Sequence, residues 1–214
     1  MKKFGTWREN NHKYFKKNFP AGKDVVDLGA GESPFWDIFS QSKTYTGVDW
    51  KPSLKVSVVA DLTKKIPLND NSYDVAILSN VLEHTPEPLH LFLESYRLLK
   101  ENGVLIGTVP FIRDIHQASH DFYRYTPYAI KLLLEKAKFT DVEIESLGTI
   151  RDVFYLNQQL FFSYFLDSNS SWKIRLARKI YFVLEKLMRP IFSKSPKNDK
   201  FTEGYGFKAR KQSF

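Results

Sequence analysis

The sequence predicts an α/β fold built on a mainly parallel sheet. Over the first 150 residues short β-branched runs alternate with longer helical patterns, the order that parallel strands with crossover helices require. An apolar run closes on a glycine-rich turn at 25–31, as strands do at a ligand-binding sheet edge. The composition fits: 214 residues, 43% hydrophobic and 26% charged, suit one domain carrying an appendage. They exclude a wholly disordered, collagenous or coiled-coil chain. The absence of cysteine excludes disulfide scaffolds, thiolate metal sites and cysteine nucleophiles.

In chain order, the pattern predicts strands over residues 24–28, 45–48, 56–59, 73–78, 103–109 and 141–147, with helices between them. The clearest helix runs from about Pro88 to Lys100, with Leu89, Phe92, Leu93, Tyr96 and Leu99 three and four apart and Gly103 just beyond its end. A second starts after Thr126, a capping residue, with Pro127 first and Ile130, Leu133, Leu134 and Ala137 as its buried stripe. Beyond Gly148 the pattern changes to two aromatic-rich helices over 150–192, broken at 167–171 and followed by a loop over 194–200. Residues 205–210 alternate as a strand would, most economically beside the strand ending near Leu147 and antiparallel to it. The expected sheet is therefore seven-stranded, formed by residues 1–149 with 204–214, and interrupted by a helical insertion over 150–203.

The charge is uneven. Residues 1–150 hold 19 basic and 19 acidic side chains; residues 151–214 hold 13 and 5, so the whole excess of 8 lies in the last third. That distribution suits either nucleic acid or an anionic membrane surface. From Trp172 to Phe192 Leu176, Ala177, Ile180, Leu184, Leu187, Met188 and Ile191 form one stripe, while Arg175, Arg178, Lys179, Glu185, Lys186 and Arg189 fall elsewhere on the helical wheel. Such a helix lies on a membrane, packs on the domain core, or meets a second subunit in a homodimer. The N-terminus lacks the apolar core of a secretory signal, and the uncharged stretch 153–166 falls short of the roughly 20 residues of a spanning helix, so a cytoplasmic protein is expected, with peripheral membrane contact through 150–200.

The chemistry-bearing residues follow the strands. Val25-Val26-Asp27-Leu28-Gly29-Ala30-Gly31 brings a carboxylate and a turn without side chains to the sheet edge, but Pro34 stands where a dinucleotide turn wants a third glycine. Asp49 ends the second strand, where it can accept both hydroxyls of a ribose. Asp61 and Leu62 follow the third, and Ser79-Asn80-Val81-Leu82-Glu83-His84 follows the fourth.

This ordered series resembles the class I S-adenosylmethionine-dependent methyltransferases, and within them the methyltransferase type 11 group, over roughly residues 20–150. The resemblance implies a Rossmann-like fold and S-adenosyl-L-methionine as cofactor. It implies that Gly29 and Gly31 admit the methionine and ribose portion, that Asp27 anchors the amino group directly or through water, and that Asp49 holds the ribose. Asp61 and the Leu62 amide would serve the adenine, with Asn80 beside the reacting centre. Taken singly, each aspartate is also a common cap or turn residue.

Methyl transfer demands alignment and exclusion of water more than acids and bases, and alignment alone contributes on the order of 7–11 kcal/mol. A sugar hydroxyl acceptor adds the need for a base. Candidates are Glu83, His84, His116, His120, Asp121 and Tyr123, and His120 oriented by Asp121 is the preferred pair; an ion-paired loop that only fixes the next helix is the alternative. The stretch His120-Asp121-Phe122-Tyr123-Arg124-Tyr125-Thr126 resembles the His-Asp-x-x-Arg-x-Thr of type 11 enzymes from surface-glycan pathways. No metal is expected, since His116 and His120 pair only on a helical turn and lack a third ligand. The absence of Asn/Asp-Pro-Pro-Tyr/Phe after the fourth strand argues against nucleic acid. The expected activity is O-methylation of a small-molecule or lipid-linked saccharide acceptor. A quinone or isoprenoid lipid acceptor, and a non-catalytic cofactor- or RNA-binding protein, are the alternatives.

Overall fold

A computed structural model describes residues 6–165, 172–188 and 200–212. In chain order these form α1 (Thr6–Asn18), β1 (Asp24–Leu28), α2 (Trp36–Phe39), β2 (Thr44–Asp49), β3 (Val58–Val59), β4 (Tyr73–Ser79), α3 (Pro88–Leu98), β5 (Leu99–Pro110), α4 (Pro127–Lys136), β6 (Phe139–Leu147), α5 (Ile150–Phe165), α6 (Trp172–Met188) and β7 (Gly204–Lys211). A 3-10 turn, Leu82–His84, follows β4.

The seven strands make one sheet in the order β3-β2-β1-β4-β5-β7-β6. β1 to β5 run parallel, and β7 is antiparallel to both β5 and β6. The chain winds outward from β1 to β3 and then returns to β4 on the other side of β1. That reversal leaves a crevice at the carboxyl ends of β1 and β4, the place where open α/β sheets bind ligands.

The period-two alternation of the strands sorts the core into two layers. Val26, Leu28, Ala76, Leu78 and Leu105 face α3 and α4, whose Leu91, Phe92, Ile130 and Leu134 cover them. Val25, Val75, Ile77 and Ile106 face the other way, under Tyr14 and Phe15 of α1 and Ile38 and Phe39 of α2. Both faces are covered, which is why the central strands carry adjacent apolar residues such as Val25-Val26 and Val75-Ala76-Ile77-Leu78 in place of a strict alternation.

The strand expectations hold with shifted ends. β3 shrinks to two residues, and β5 starts directly at the end of α3, so Gly103 lies within the strand and Asn102, at φ 61°, takes the left-handed turn instead. Thr126 caps α4 as expected, its hydroxyl accepting from the Ala129 amide at 3.3 Å. The C-terminal strand does pair with β6, and it also pairs with β5, so it fills a slot inside the sheet. The expected breaks at 167–171 and 194–199 lie outside the described residues. On α6, Trp172, Leu176, Ile180, Val183, Leu184 and Leu187 are all exposed, so packing on the domain core does not account for the stripe.

Candidate functional site

A cavity of about 760 Å³ opens at the carboxyl ends of β1, β2 and β4. It is within the size range of sites for small molecules and cofactors. Its floor is the turn after β1. Gly29 has φ 83° and gives its N–H to the Val48 carbonyl at 2.8 Å. A Cβ there would lie 2.5 Å from a Val81 methyl, so only glycine fits. Gly31, at φ 49°, would point a Cβ into open space, leaving its backbone free to approach a ligand.

Asp49 ties this turn to β2. One carboxylate oxygen accepts the Gly31 N–H at 2.9 Å and the other the Lys51 N–H at 3.1 Å. The group is thus aimed by backbone donors and retains lone pairs toward the cavity it lines. Asp61 and Leu62 line the same wall. Asp61 accepts from the Thr63 hydroxyl at 2.7 Å and amide at 2.9 Å, and these bonds hold its carboxyl below the ordinary range. Asn80 directly follows β4 at φ 53°, with its amide nitrogen 3.2 Å from the Asn11 side-chain oxygen of α1. Its own side-chain oxygen is buried without a partner.

Asp27 stands apart from this group. It does not line the cavity; it is buried behind the turn, taking the Tyr45 hydroxyl at 2.7 Å and leaving its other oxygen unpartnered. Burial pushes its carboxyl up to about 7, against the pull of that hydroxyl. Asp27 reaches the end of the turn through the Tyr45 hydroxyl, which also lies 3.3 Å from Ser33 Oγ.

The loop after β5 closes the opposite wall with Gln117, His120 and Phe122, facing Trp50. The His120 and Trp50 rings are 5.8 Å apart, and Trp50 is 60% exposed. The expected His120–Asp121 pair is not formed. Asp121 takes Arg124 in a fork at 2.6 and 2.7 Å and the His116 amide at 2.8 Å, because a planar guanidinium three residues on satisfies both oxygens at once. The Arg124 bonds hold the Asp121 carboxyl far below the ordinary range. His120 instead lies exposed in the cavity wall, with Ser119 Oγ 3.4 Å from its Nδ1. Tyr123 gives its hydroxyl to the Pro86 carbonyl at 2.9 Å and stays outside the cavity.

Beneath this loop His84, which lines the cavity, meets Glu83 and His116. The two imidazole Nε2 atoms stand 3.8 and 3.9 Å from Glu83 Oε1. The rings cross edge to face with centroids 4.9 Å apart. Burial pushes the Glu83 carboxyl up to about 8, against the charge of Arg124, and burial lowers the His84 imidazole.

Sequence reasoning reached Gly29, Gly31, Asp49, Asp61, Leu62, Asn80 and His120 in the walls of one cavity. It left Trp50 unassigned and missed Asn11, Gln117 and the meeting of His84 with His116. The only local signal for the last was the Glu83-His84 dipeptide beside a histidine-rich loop.

Strand order and cavity define the class of fold: the Rossmann-like seven-stranded fold of S-adenosylmethionine-dependent methyltransferases. A family model described as a methyltransferase domain matches residues 26–107, from β1 into β5. A methyltransferase of Mycobacterium bovis is 30% identical over 99 residues, and one of Mycobacterium tuberculosis is 29% identical over 99 residues; each match covers 41% of this chain and 39% of the relative. The matched region thus spans about two fifths of the length of these relatives.

Among solved structures, phosphoethanolamine N-methyltransferase 2 of Haemonchus contortus, in complex with S-adenosyl-L-methionine, superposes with a TM-score of 0.59 at 18% identity. That superposition covers 97% of this chain and 53% of the other. The [4+2]-cyclase SpnF reaches 0.62 at 18% identity, covering 97% and 82%. A fold shared with a cyclase does not fix the reaction, so the chemistry must be argued from the site.

Proposed function

We propose that the protein is an S-adenosylmethionine-dependent methyltransferase acting on a hydroxyl of a saccharide carried by a lipid. The observation that carries the first half is the alignment of the Gly29–Gly31 turn, Asp49, Asp61 and Asn80 along one cavity. The unpartnered Asn80 oxygen, the carboxylate aimed by two backbone amides and the open space at Gly31 fit an adenosyl amino acid. S-adenosylmethionine supplies, when bound, a methyl on a cationic sulfur.

The chain's own part is to hold and to exclude. Asp49 takes the ribose hydroxyls, Gly31 lets the backbone approach, and Asp61 with the Leu62 amide addresses the adenine edge. The wall of Trp50, Phe122 and His120 shields the reacting end from water, and its flat apolar faces suit the face of a sugar ring. His120 takes the proton of the acceptor hydroxyl, a role that needs a base near neutrality.

The lipid half rests on α6. Its exposed apolar row, with Arg175, Lys179 and Lys186 also exposed, matches a helix lying in the plane of an anionic leaflet. No helix among the described residues is long and apolar enough to cross a membrane. Contact at the cytoplasmic face would bring the cavity to a lipid-linked acceptor.

The test is incubation with labelled S-adenosylmethionine and separated host lipids, glycans and RNA. Label in an acid-labile glycolipid supports the proposal. Label in a quinone or prenyl lipid moves the acceptor, and label in RNA overturns it. In parallel, sedimentation with phosphatidylglycerol vesicles should capture the wild type but not Ile180→Asp/Leu184→Asp, while loss of a dimer in that variant without vesicle binding by the wild type would assign the stripe to a second subunit.

A further inference from the structure

We propose that Glu83, His84 and His116 form a binding site for a divalent transition-metal cation at the acceptor end of the cavity. The three potential ligand atoms, Glu83 Oε1 and the two imidazole Nε2 atoms, lie within 4.8 Å of one another. Separations of 3.8 and 3.9 Å are too long for hydrogen bonds. Around an ion at bonds of roughly 2.0–2.2 Å such atoms stand about 3.3–3.6 Å apart, so the two Glu83 separations close by a few tenths of an ångström and the widest of the three by about an ångström or slightly more, a rotation within reach of the loop that carries His116.

Three independent features point inward to the same spot. First, Glu83 is 0% exposed and neither of its carboxylate oxygens has a hydrogen-bond partner, a costly arrangement for a buried acid with nothing to receive. Second, His84 Nε2 is likewise buried and unpartnered. Third, the far nitrogens fix the tautomers. His84 Nδ1 is 2.6 Å from the His120 carbonyl and His116 Nδ1 is 3.2 Å from the Asp114 carbonyl. A carbonyl only accepts, so each Nδ1 carries the proton and each Nε2 turns its lone pair toward Glu83. Backbone carbonyls behind imidazoles are the usual outer support of metal-binding histidines.

Neighbouring charge leaves room for a cation. Arg124, the nearest guanidinium, is spent on both oxygens of Asp121. Two imidazoles and one carboxylate favour zinc, iron(II) or manganese over magnesium, which prefers oxygen ligands and retained water. Three protein ligands leave coordination positions open. His84 is part of the cavity wall and its Nε2 is buried behind that wall, so an ion there would lie next to the space assigned to the acceptor. An acceptor oxygen held there would be both fixed and made more acidic by the ion. That role rests on the methyltransferase reading; binding of the cation does not.

The experiment titrates the chelator-treated full chain with Co²⁺, followed by its visible absorption, and with Zn²⁺ by calorimetry. The expected result is one saturable site per chain whose affinity falls at least about tenfold in His116→Ala and in Glu83→Gln. His12→Ala, altering a half-exposed histidine paired with Asp37 on the opposite layer, should bind as the wild type does. His116 is half-exposed, so its variant reports even if Glu83→Gln fails to fold. No saturable binding, or equal binding by wild type and His116→Ala, overturns the site. Calorimetry with S-adenosylhomocysteine on the same samples separates the two readings: zinc bound without nucleoside keeps the site and removes its role, whereas methyl transfer undiminished in chelator, with no zinc bound, removes the site alone.

Discussion

Replacement of Asp49 by alanine isolates the contact proposed to hold the cofactor's ribose. In the protein this carboxylate is 9% exposed and accepts two backbone N–H groups, at 2.9 and 3.1 Å. Those two bonds sit on the rim of the cavity, where water can replace the lost acceptor, so their removal should cost about 1 kcal/mol of stability. For a chain of this size that is a fall in Tm of roughly 2–4 °C. The ribose hydroxyls lose more, because hydrogen bonds to a charged acceptor contribute roughly 1.5–3 kcal/mol each. With water partly refilling the space, a net loss of roughly 3–4 kcal/mol weakens binding roughly 150- to 900-fold. Calorimetry with S-adenosylhomocysteine measures the affinity and a thermal melt measures the fold. Affinity within about threefold of wild type in a folded variant would refute the ribose assignment, and loss of binding together with the melting transition would refute the division of the two effects.

Gly29→Ala forces a methyl to within 2.5 Å of Val81 at φ 83° and should destabilise the fold by about 3 kcal/mol, read as a lower urea midpoint and partly recovered by Val81→Ala. An unchanged midpoint would show that the turn relaxes freely. Asp27 holds a proton up to about pH 7 in the folded chain, whereas its unfolded carboxyl titrates near 4. Stability should therefore fall as pH rises from about 4 to about 7, and Asp27→Asn should flatten that slope of Tm against pH. His120→Ala should lower turnover about a hundredfold, with nucleoside affinity kept within about threefold. Full activity in that variant would exclude His120 as the base.

The parts of the fold that could be read in the sequence are those whose cause is local. Val25, Val26 and Leu28 are apolar because both faces of β1 are covered, and the expected strand 24–28 coincides with β1. Gly29, Gly31 and Asp49 were legible because a tight turn and a strand-end acid leave short, ordered signatures. α1 was not, since a 13-residue polar segment rests on Tyr14, Phe15 and Asn11, too few buried positions to declare a period. The contact of His116 with Glu83 and His84 joins two loops through space, and no spacing rule reaches across them. Asp121 was assigned to the wrong partner for a related reason: adjacency in sequence to His120 counted for less than the reach of Arg124 back across one turn of loop. The slot of β7 was half legible, because alternation marks a strand but does not say between which neighbours it enters.

The place of β7 shapes how the molecule is made. Val104 of β5 pairs with Arg210, and Phe139 of β6 with Lys211, so the far side of the sheet closes only once the segment after α6 has been synthesised. Until then a ribosome-bound chain presents two bare strand borders, β5 and β6, separated by the width of one missing strand and open to pairing with other nascent chains. The half that carries the cavity, β1 to β4, pairs with no residue of β7 and can assemble first. The binding crevice is thus taking shape during translation while the opposite flank awaits its final strand.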